Sequence, residues 1–414
     1  MTSLIASQQT DDSALSTFRR LVFSRGDEDP FPLYARLRET PVLHSPLPNL
    51  LGGYVLSRHR ECSQALRSRA MTPFSGEHVD RFLPDWREHT AGRLLYQSLV
   101  FAHDDRHAEV RRRLSPHFSR SRTAALREFM TDLASRQVEA LAAADGPVDL
   151  VEALTLPFPL AVICRLFDVD FADAAPLARS GRTLSCFLET VQTPARRNRI
   201  DRAADEFVEF FAEPIRQRRR SPGDDLLSTL VNAADTGAID EQELLGNLLF
   251  LFTAGYDSST SFLGAAVRTL LAHPDQAAVV RDDPDAIGGA VDELLRYDPP
   301  VHATTRITAQ PVELGGTELP TGSLVWILLG SANRDPAFVT DPDTVDVGRP
   351  AQQHLSFAAG PHTCIGARLA RMEAEVLLPM LLRRFPRMRL AGEPRHRYPG
   401  TVLRGIDRLP VVLE

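Results

Sequence analysis

The chain has 414 residues, of which 43% are hydrophobic and 24% charged, so it can bury a substantial core. Lysine and arginine number 47 against 54 aspartates and glutamates, a formal net charge of -7. This balance argues against a surface that binds nucleic acid or an anionic membrane over its whole area. No Gly/Ser-rich or Pro-rich linker divides the chain, which predicts a single domain over residues 1–414 with a disordered start over residues 1–15.

The cysteines and the N-terminus indicate the compartment. Cysteines are widely spaced and form neither a C-x-x-C pair nor a compact disulfide framework, which favours a reducing cytoplasm. Residues 1–12 are polar and lack both the apolar core of a signal peptide and a membrane-spanning run of about 20 residues. We therefore expect a cytoplasmic protein without a membrane segment.

The first third of the chain predicts short elements and one irregular stretch. Residues 30–40 have helical spacing, residues 52–57 indicate a short strand, and a helix is expected over residues 58–67. Residues 71–101 mix proline, glycine, histidine and Trp86 without a clean period. A long irregular segment inside a folded chain is more often functional than idle.

A helix should then open near two histidines four residues apart, His103 and His107. With the acid that follows the first one, they nearly reproduce the zinc-protease pattern H-E-x-x-H. Asp104 is one methylene shorter than the catalytic glutamate of that pattern. A zinc site and a solvated basic face are the two alternatives that the residues themselves leave open.

Helical patterns continue over residues 123–144 and 151–167, and residues 177–220 carry two helices that separate near Thr193-Pro194. The clearest helix is predicted over residues 240–272, because Asp240 and Glu243 have capping-box spacing and a His-Pro pair supplies the stop. Its middle is apolar on every side, which indicates a buried central helix.

A polar segment, residues 254–260 (AGYDSST), interrupts that apolar helix. Burying Asp257 unpaired would be costly, and a glycine weakens the helix by about 1 kcal/mol relative to alanine. The structural alternative is a salt bridge for Asp257, with hydroxyls bonded back to the preceding turn. Polar groups in the centre of a buried helix are nevertheless candidates for function.

Beyond the central helix, residues 289–297 predict a helix with the E-x-x-R pair Glu293 and Arg296, which is a weak signal by itself. Residues 312–319 predict a hairpin with Gly-Gly at its turn. Residues 357–366 (FAAGPHTCIG) then lead directly into a helical run. Glycines there allow tight turns, and unpaired amides at a helix start stabilise a thiolate at Cys364, as a nucleophile or metal ligand. The alternative is a buried free cysteine.

The spacing within this loop resembles the haem-ligand signature of the cytochrome P450 family. One departure is Ala358, where many members carry glycine; we expect its methyl group to be tolerated. The resemblance implies the cytochrome P450 fold, which is mainly α with small β-sheets, a triangular prism with a long central helix over the haem. The positions that carry the pattern are Phe357, Gly360, His362, Cys364 and Gly366.

The polar segment of the central helix is similar to the family's oxygen-activating motif. The resemblance implies that local unwinding at Ala254 and Gly255 leaves a groove for dioxygen beside the haem. It also implies that Asp257 and Ser258 relay protons. Serine stands here where threonine is typical; it keeps a donor and an acceptor but lacks the β-branch that restricts rotamers.

Further implications concern the cofactor and its surroundings. The resemblance implies haem b with the Cys364 thiolate as iron ligand and O2 as co-substrate. Side chains implied to hold the haem edge are His107, Arg111, Arg306 and His362, and Glu293, Arg296 and Arg349 are implied to form a network that fixes the cysteine loop. Candidates for the lining of the substrate chamber are Phe187, Leu188, Val191, Phe252, Tyr256, Ala303, Thr304 and Val402.

The implied activity is a monooxygenase that activates O2 and oxidises a small organic substrate, most simply by hydroxylation of a secondary metabolite that is free or carrier-tethered. No flavin or nicotinamide fingerprint is present, so a ferredoxin-type donor with its reductase should supply electrons to a monomeric enzyme. A basic patch of Arg111 to Arg113, Arg368 and Arg371 could dock it. Alternatives are cross-linking, nitration or desaturation on the same scaffold, or a non-catalytic haem-fold binding module.

Overall fold

Helices make up most of the protein. The structure, a computed structural model, describes residues 2–23, 28–47, 49–74, 76–189, 193–397 and 400–414. The helices in chain order are α1 (Thr2–Phe23), α2 (Phe31–Leu37), α3 (His59–Arg67), α4 (Gly76–Phe82), α5 (Thr90–Leu95), α6 (Asp104–Leu114), α7 (Arg120–Leu141), α8 (Pro157–Phe167), α9 (Phe171–Ala174), α10 (Ala178–Ser185), α11 (Pro194–Arg220), α12 (Leu226–Asp235), α13 (Glu241–Ala272), α14 (Pro274–Asp282), α15 (Ile287–Tyr297), α16 (Leu329–Ala332) and α17 (Ala367–Arg384).

Short strands form small sheets beside the helices. They are β1 (Val42–Ser45), β2 (Gly53–Leu56), β3 (Met71–Thr72), β4 (Val148–Asp149), β5 (Thr304–Thr308), β6 (Val312–Leu314), β7 (Thr317–Leu319), β8 (Leu324–Ile327), β9 (Arg389–Leu390), β10 (Arg395–His396), β11 (Ile406–Arg408) and β12 (Pro410–Val412). The largest sheet has the order β1-β2-β8-β5-β3, in which only the β2–β8 pairing is parallel. The predicted fold class, mainly α with small sheets, is confirmed.

The long central helix α13 forms as its capping residues predict. The Asp240 carboxylate accepts from the amide of Glu243, and the Glu243 carboxylate accepts from the amide of Asp240, each over 2.8 Å. This capping box satisfies two donors that the first turn would otherwise leave unpaired. α13 packs against α5, α8, α10 and α12, so its apolar middle is buried. Neither α13 nor any other helix in the described ranges is long and apolar enough to cross a membrane.

The N-terminal segment differs from the expected disorder over residues 1–15. Helix α1 begins at Thr2 and continues to Phe23. Its second half buries Ala14, Phe18 and Leu21, which recur at helical spacing, and Phe18 packs edge-on against Trp326 of β8 with centroids 5.7 Å apart. Contact with the sheet therefore holds the second half of α1 against the core.

Two predicted boundaries agree with the structure. α11 begins at Pro194, and the Thr193 hydroxyl caps it by accepting from the amide of Arg196 over 3.2 Å. The hairpin β6–β7 turns at Gly315 and Gly316, whose φ angles of 54° and 79° are both in the left-handed region. Glycine adopts these angles without the steric cost of a Cβ, as such a hairpin turn requires.

Candidate active site

A cavity separates the middle of α13 from the loop that carries Cys364. The cavity, together with its open mouth, has a volume of about 1240 Å³. One wall belongs to α13, the opposite wall to the cysteine loop and the start of α17, and α6 and β5 close one edge. The predicted site residues in its lining are His107, Arg111, Ala254, Gly255, Ser258, Thr304, Arg306, Phe357, His362, Cys364 and Gly366.

Hydrogen bonds within the loop hold Cys364 in place. The amide of Cys364 donates to the carbonyl of Phe357 over 2.9 Å, and the Thr363 hydroxyl donates to the carbonyl of Gly360 over 2.8 Å. Gly360 has a φ of 72°, and a Cβ there would lie 2.4 Å from the carbonyl oxygen of Leu66. This position therefore requires glycine, for its φ angle and for the close approach of the α3 backbone.

Ala358, the departure from the family pattern, adopts a φ of 55°. In this left-handed region a Cβ lies too close to the following carbonyl oxygen, which costs roughly 1–2 kcal/mol. The chain accommodates the methyl group, as expected, but with backbone strain that glycine would avoid. The φ angle also explains why glycine suits this position of the loop.

The surroundings of Cys364 act on its ionisation in opposite directions. Burial among the protein atoms around the loop raises the pKa of the thiol. The backbone N–H groups of Gly366 and Ala367, with the guanidiniums of Arg111 and Arg371, oppose that rise because each stabilises negative charge. The sulfur remains accessible from the cavity side. A metal cation in the cavity would complete the stabilisation of a thiolate.

Basic side chains along one edge of the cavity have no carboxylate partner among the described residues. They are His107, Arg111, Arg306 and His362. The rings of the two histidines lie 3.9 Å apart between centroids. Burial and the neighbouring arginines lower the pKa of His107 to about 4 and that of His362 to about 3, and burial lowers the pKa of Arg306 to about 10. Burial disfavours the positive form of these groups and no anion offsets it among the described residues, so this edge favours an anionic ligand.

The donors at this edge fit the haem that the resemblance implies. The Nε2 atom of His107 is buried without a hydrogen-bond partner in the described part of the chain. Within the described ranges Arg306 donates to the Thr304 hydroxyl and the Thr305 carbonyl, over 3.2 and 2.7 Å. The unpaired Nε2 atom of His107 and the remaining donors of Arg306 favour an acceptor supplied by a ligand. Two carboxylates of a haem would meet these donors while the iron meets the thiol of Cys364.

The polar segment of α13 divides between the cavity and the protein interior. Ser258 lines the cavity, and its hydroxyl donates to the carbonyl of Ala254 over 2.9 Å. Asp257 is fully buried and absent from that lining; it accepts two hydrogen bonds from Arg397, over 2.6 and 2.7 Å, with Arg182 3.7 Å away. Burial raises the pKa of Asp257, but the two guanidiniums outweigh it, so the pKa lies below its ordinary value.

No unwinding accompanies this segment, because α13 is continuous from Glu241 to Ala272. This differs from the local unwinding that the resemblance implies. Gly255 has a packing reason instead: a Cβ there would lie 2.4 Å from Cδ1 of Ile163 on α8. The absence of a side chain thus lets the two helices cross closely beside the cavity.

Two predicted chamber residues, Phe252 and Tyr256, lie on the opposite face of α13. Phe252 packs among aromatic rings of α8 and α11, including Phe167 with centroids 5.4 Å apart and Phe211 at 5.6 Å. The Tyr256 hydroxyl donates to the carbonyl of Ala178 over 3.0 Å. The prediction was wrong for both, because residues four apart share one helix face and Ala254 and Ser258 occupy the cavity face.

A second cavity continues from the first and forms a chamber. The two cavities share lining residues Val100, Val301, Thr304 and Arg306. Predicted lining residues in this chamber are Phe187, Leu188, Ala303, Thr304 and Val402. Val191 lies outside the described residues. Other residues of the chamber lining were not predicted from the sequence, among them Phe74, Tyr96, Phe101, Glu189 and Arg197. The first three belong to or border the irregular residues 71–101, whose lack of periodicity was the available signal.

The predicted structural network joins three segments. Glu293 accepts two hydrogen bonds from Arg296, over 2.7 and 2.9 Å, and one from Arg349 over 3.2 Å. Arg296 also donates to the carbonyls of residues 333, 342 and 344. From there Asn333 bonds the Ser356 hydroxyl over 2.8 Å, directly before the cysteine loop. The network therefore anchors the segment that leads directly into that loop.

A buried acid on α17, Glu373, was not predicted. Neither of its oxygens has a hydrogen-bond partner of ordinary geometry in the described structure, although Ser259 of the cavity lining lies close enough to act on its ionisation. Burial raises the pKa of Glu373 from 4.5 to about 8, and Ser259 lowers it slightly. No sequence signal marks this acid, since it sits in an ordinary helical pattern.

The zinc alternative for His103 and His107 lacks a ligand set. His103 bonds Asp104 over 3.0 Å, whereas the His107 ring packs on His362. Over the described ranges, no group of three or more His, Cys, Asp or Glu side chains could hold a metal ion. A protein zinc site needs at least three such ligands.

Comparisons with known proteins give the following matches. The sequence model described as Cytochrome P450 matches residues 68–396. The 6-deoxyerythronolide B hydroxylase of Saccharopolyspora erythraea is 38% identical over 313 residues, covering 74% of this chain and 76% of that protein. Cytochrome P450 monooxygenase PikC of Streptomyces venezuelae is 34% identical over 400 residues, covering 92% and 91%. The crystal structure of P450BioI in complex with hexadec-9Z-enoic acid ligated acyl carrier protein matches with a TM-score of 0.86 at 26% identity, covering 93% of this chain and 99% of that one.

Proposed function

Because this chain belongs to the cytochrome P450 family, we propose that it is a cytoplasmic monooxygenase that hydroxylates an apolar small molecule of secondary metabolism. Its electrons come from a separate ferredoxin-type protein and its reductase. One observation carries the proposal: a single cavity has the Cys364 thiol in one wall, the Ser258 hydroxyl in the α13 wall, and basic side chains along its edge.

The residues divide the work around haem b. Bound haem supplies the activation of O2 and the oxidising chemistry, with the Cys364 thiolate as iron ligand. His107, Arg111, Arg306 and His362 would bind the two haem carboxylates, because they are the basic groups at the cavity edge and have no carboxylate partner among the described residues. The hydrogen-bond network around Glu293 would keep the cysteine loop in place.

Protons enter the cavity from the α13 side. The Ser258 hydroxyl donates a hydrogen bond to the Ala254 carbonyl. Rotation of its side chain would let it donate a proton to a group in the cavity. Asp257 adjoins it in sequence but remains paired with Arg397. Asp257 can relay protons only if this pair opens, so its role in the relay depends on motion of Arg397 or Arg182.

The chamber supports an apolar substrate. Its wall is built mostly of aliphatic and aromatic side chains, with the Thr304 and Thr305 hydroxyls near the haem cavity. Hydroxylation is favoured because one relative of this chain is the 6-deoxyerythronolide B hydroxylase of Saccharopolyspora erythraea. A carrier-tethered substrate is a second form, favoured by the P450BioI complex with an acyl carrier protein.

The electron donor docks on exposed arginines near the cysteine loop. Arg113 and Arg371 of the predicted patch are paired with Glu109 and Asp292, over 3.1 and 2.7 Å. Arg112 and Arg368 are exposed and remain for an acidic partner. The double variant Arg112→Glu, Arg368→Glu should raise the apparent KM for a ferredoxin several-fold, with the matched change Arg202→Glu on α11 as control. Unchanged kinetics in the double variant would exclude this docking site.

The proposed ligand is tested most directly at the thiol. Cys364→Ser should abolish the thiolate-type absorption of the reduced carbon monoxide complex, because a serine hydroxyl does not supply a thiolate. Cys186→Ser, a half-buried cysteine outside the cavity, is the matched control and should keep that spectrum. If Cys364→Ser kept the thiolate-type spectrum, the proposed function would be wrong.

A further inference from the structure

The chamber has two ends, and an arginine lies at the one away from Cys364. Thr304 and Arg306 line both the chamber and the cysteine cavity. Arg197, near the start of α11, lines both the chamber and a small neighbouring cavity that does not include the cysteine loop. Arg197 is therefore placed to contact the outer end of a substrate whose other end reaches Thr304.

Much of the hydrogen-bonding capacity of Arg197 is unused. Its Nη1 donates to the Asp85 carboxylate over 2.8 Å. Its Nε is buried without an acceptor, and Nη2 has none among the described residues. A guanidinium presents five donors in a planar fork, and leaving a buried donor unpaired costs about 1–3 kcal/mol. The fork can therefore take a further oxygen ligand.

The neighbouring carboxylates are already engaged by other groups. Asp201 accepts from His89 and from the amide of Ala91, the latter over 3.1 Å. Asp85 lies 3.7 Å from the other ring nitrogen of His89. Glu189, the acid in the chamber wall, accepts from the amide of Val402 over 3.1 Å and from that of Leu403 over 3.0 Å. None of these contacts occupies Nη2 of Arg197.

Aromatic rings line the chamber between its two ends. Tyr96 contacts Phe101 and Phe187 edge-on, each with centroids 4.9 Å apart. Rings in this arrangement favour an apolar or aromatic body lying against them. A molecule that fits the chamber thus has an apolar body and an acceptor group at the end near Arg197.

We propose that Arg197 determines substrate specificity by binding a free carboxylate at the outer end of the substrate, with the apolar body against Tyr96, Phe101 and Phe187. This rests on the proposed function and deepens it by naming a substrate class, apolar organic acids. Charge-assisted hydrogen bonds from a guanidinium to a carboxylate are the strong and directional kind, and they orient the opposite end toward Thr304.

Calorimetric titration of the haem-loaded protein with two matched probes tests this. The probes are 6-phenylhexanoic acid and 6-phenylhexan-1-ol, which differ only in the terminal group. The wild type should bind the acid at least tenfold more tightly than the alcohol. Arg197→Leu should abolish that preference and leave the Kd of the alcohol within about twofold, and Arg197→Lys should keep part of it. Arg199→Leu removes the same charge from an exposed position of α11 and should change nothing.

Asp85→Asn separates recognition from a purely structural pairing. If Arg197 only holds the segment around Asp85 against α11 through their ion pair, Asp85→Asn and Arg197→Leu should change the Kd values of both probes in the same way. If Arg197 binds the carboxylate, Asp85→Asn should keep or increase the preference for the acid, because the guanidinium loses a competing partner. Loss of the preference in Asp85→Asn would overturn the proposal.

The binding of the two probes by the wild type also tests the proposal. A wild type that binds both probes equally, or neither, contradicts the specificity role of Arg197. This failure is distinct from failure of the proposed function, which would appear as a wild type without the thiolate-type carbon monoxide spectrum. A wild type with that spectrum but no acid preference would leave the monooxygenase proposal intact.

Discussion

Two buried acids beside the haem cavity, Asp257 on α13 and Glu373 on α17, have opposite environments. Asp257 accepts two hydrogen bonds from Arg397 and has Arg182 nearby, which keeps its pKa low in spite of burial. Among the described residues Glu373 has no ion-pair partner and no hydrogen-bond partner of ordinary geometry, so burial raises its pKa to about 8. Burial alone thus does not decide whether an acid is ionised, because the partners decide it.

The difference bears on which acid can exchange protons with the cavity. Asp257 is held ionised and faces away from the cavity lining. Glu373 can be protonated near neutral pH and lies close to Ser259, which lines the cavity. A group whose pKa is near the working pH is the better proton donor and acceptor. The resemblance to the oxygen-activating motif implies Asp257 as the acid that relays protons. The pKa values instead favour Glu373 as the acid that exchanges protons with the cavity.

The largest expected effect is on stability at the paired acid. Asp257→Ala leaves the buried Arg397 without its hydrogen-bonded counter-charge, which should lower the free energy of unfolding by about 3–5 kcal/mol. Asp407→Ala is the matched control, since Asp407 contacts the same two arginines from a partly exposed position. Denaturant unfolding of the haem-loaded proteins measures both. Equal losses in the two variants would contradict the tight pairing of Asp257.

Glu373 should instead affect the pH dependence of stability. Its pKa in the folded protein is raised, so the folded state holds a proton that the unfolded state releases above about pH 4.5. Stability from this group is therefore complete below about pH 4.5 and falls as the pH rises toward 8. Between pH 5 and pH 8 the loss is about 3.5 kcal/mol, because the free energy of unfolding falls by about 1.36 kcal/mol for each pH unit between the two pKa values.

Glu373→Gln removes the titrating group and should abolish that loss. Melting temperatures at pH 5, 6, 7 and 8 test it, with Glu375→Gln as control, because Glu375 lies on the same helix in an ion pair with Arg127. The control should keep the wild-type pH dependence. A Glu373→Gln variant whose stability falls with pH as steeply as the wild type would show that Glu373 is not protonated in the folded state.

The smallest effect is on coupling of reductant to product. Ser258→Ala should lower the amount of product formed per reductant consumed and raise the release of hydrogen peroxide about two- to fivefold. The reason is that the cavity loses a hydroxyl that transfers protons. If Glu373 supplies protons through Ser259, then Glu373→Gln and Ser259→Ala should each raise peroxide, and the double variant no further.

Ser261→Ala is the control for these coupling measurements, since Ser261 is a buried serine of α13 outside the cavity lining. Equal product per reductant in Ser258→Ala and the wild type would refute the relay role of Ser258. Additive effects of Glu373→Gln and Ser259→Ala would show that the two residues act separately. Glu373 would then not supply protons to the cavity through Ser259.

Features carried by local patterns could be predicted. The capping box at Asp240, the stop before Pro274 and the turn at Gly315 each depend on residues within a few positions, and all three agree with the structure. The cysteine loop likewise combines glycine positions with a helix start. Phe252 and Tyr256 were assigned to the wrong face, because an all-round apolar helix has no periodicity that identifies its cavity side.

The sequence by itself determined the family, the long central helix and the position of Cys364, because these follow from short-range spacing and from residue types that few backbones accept. Only the tertiary structure decided which acids are paired. Arg397 reaches Asp257 from 140 residues away, and no local pattern reports such a contact. The isolation of Glu373 and the free donors of Arg197 likewise result from packing between distant segments, where charge, burial and partners are set together.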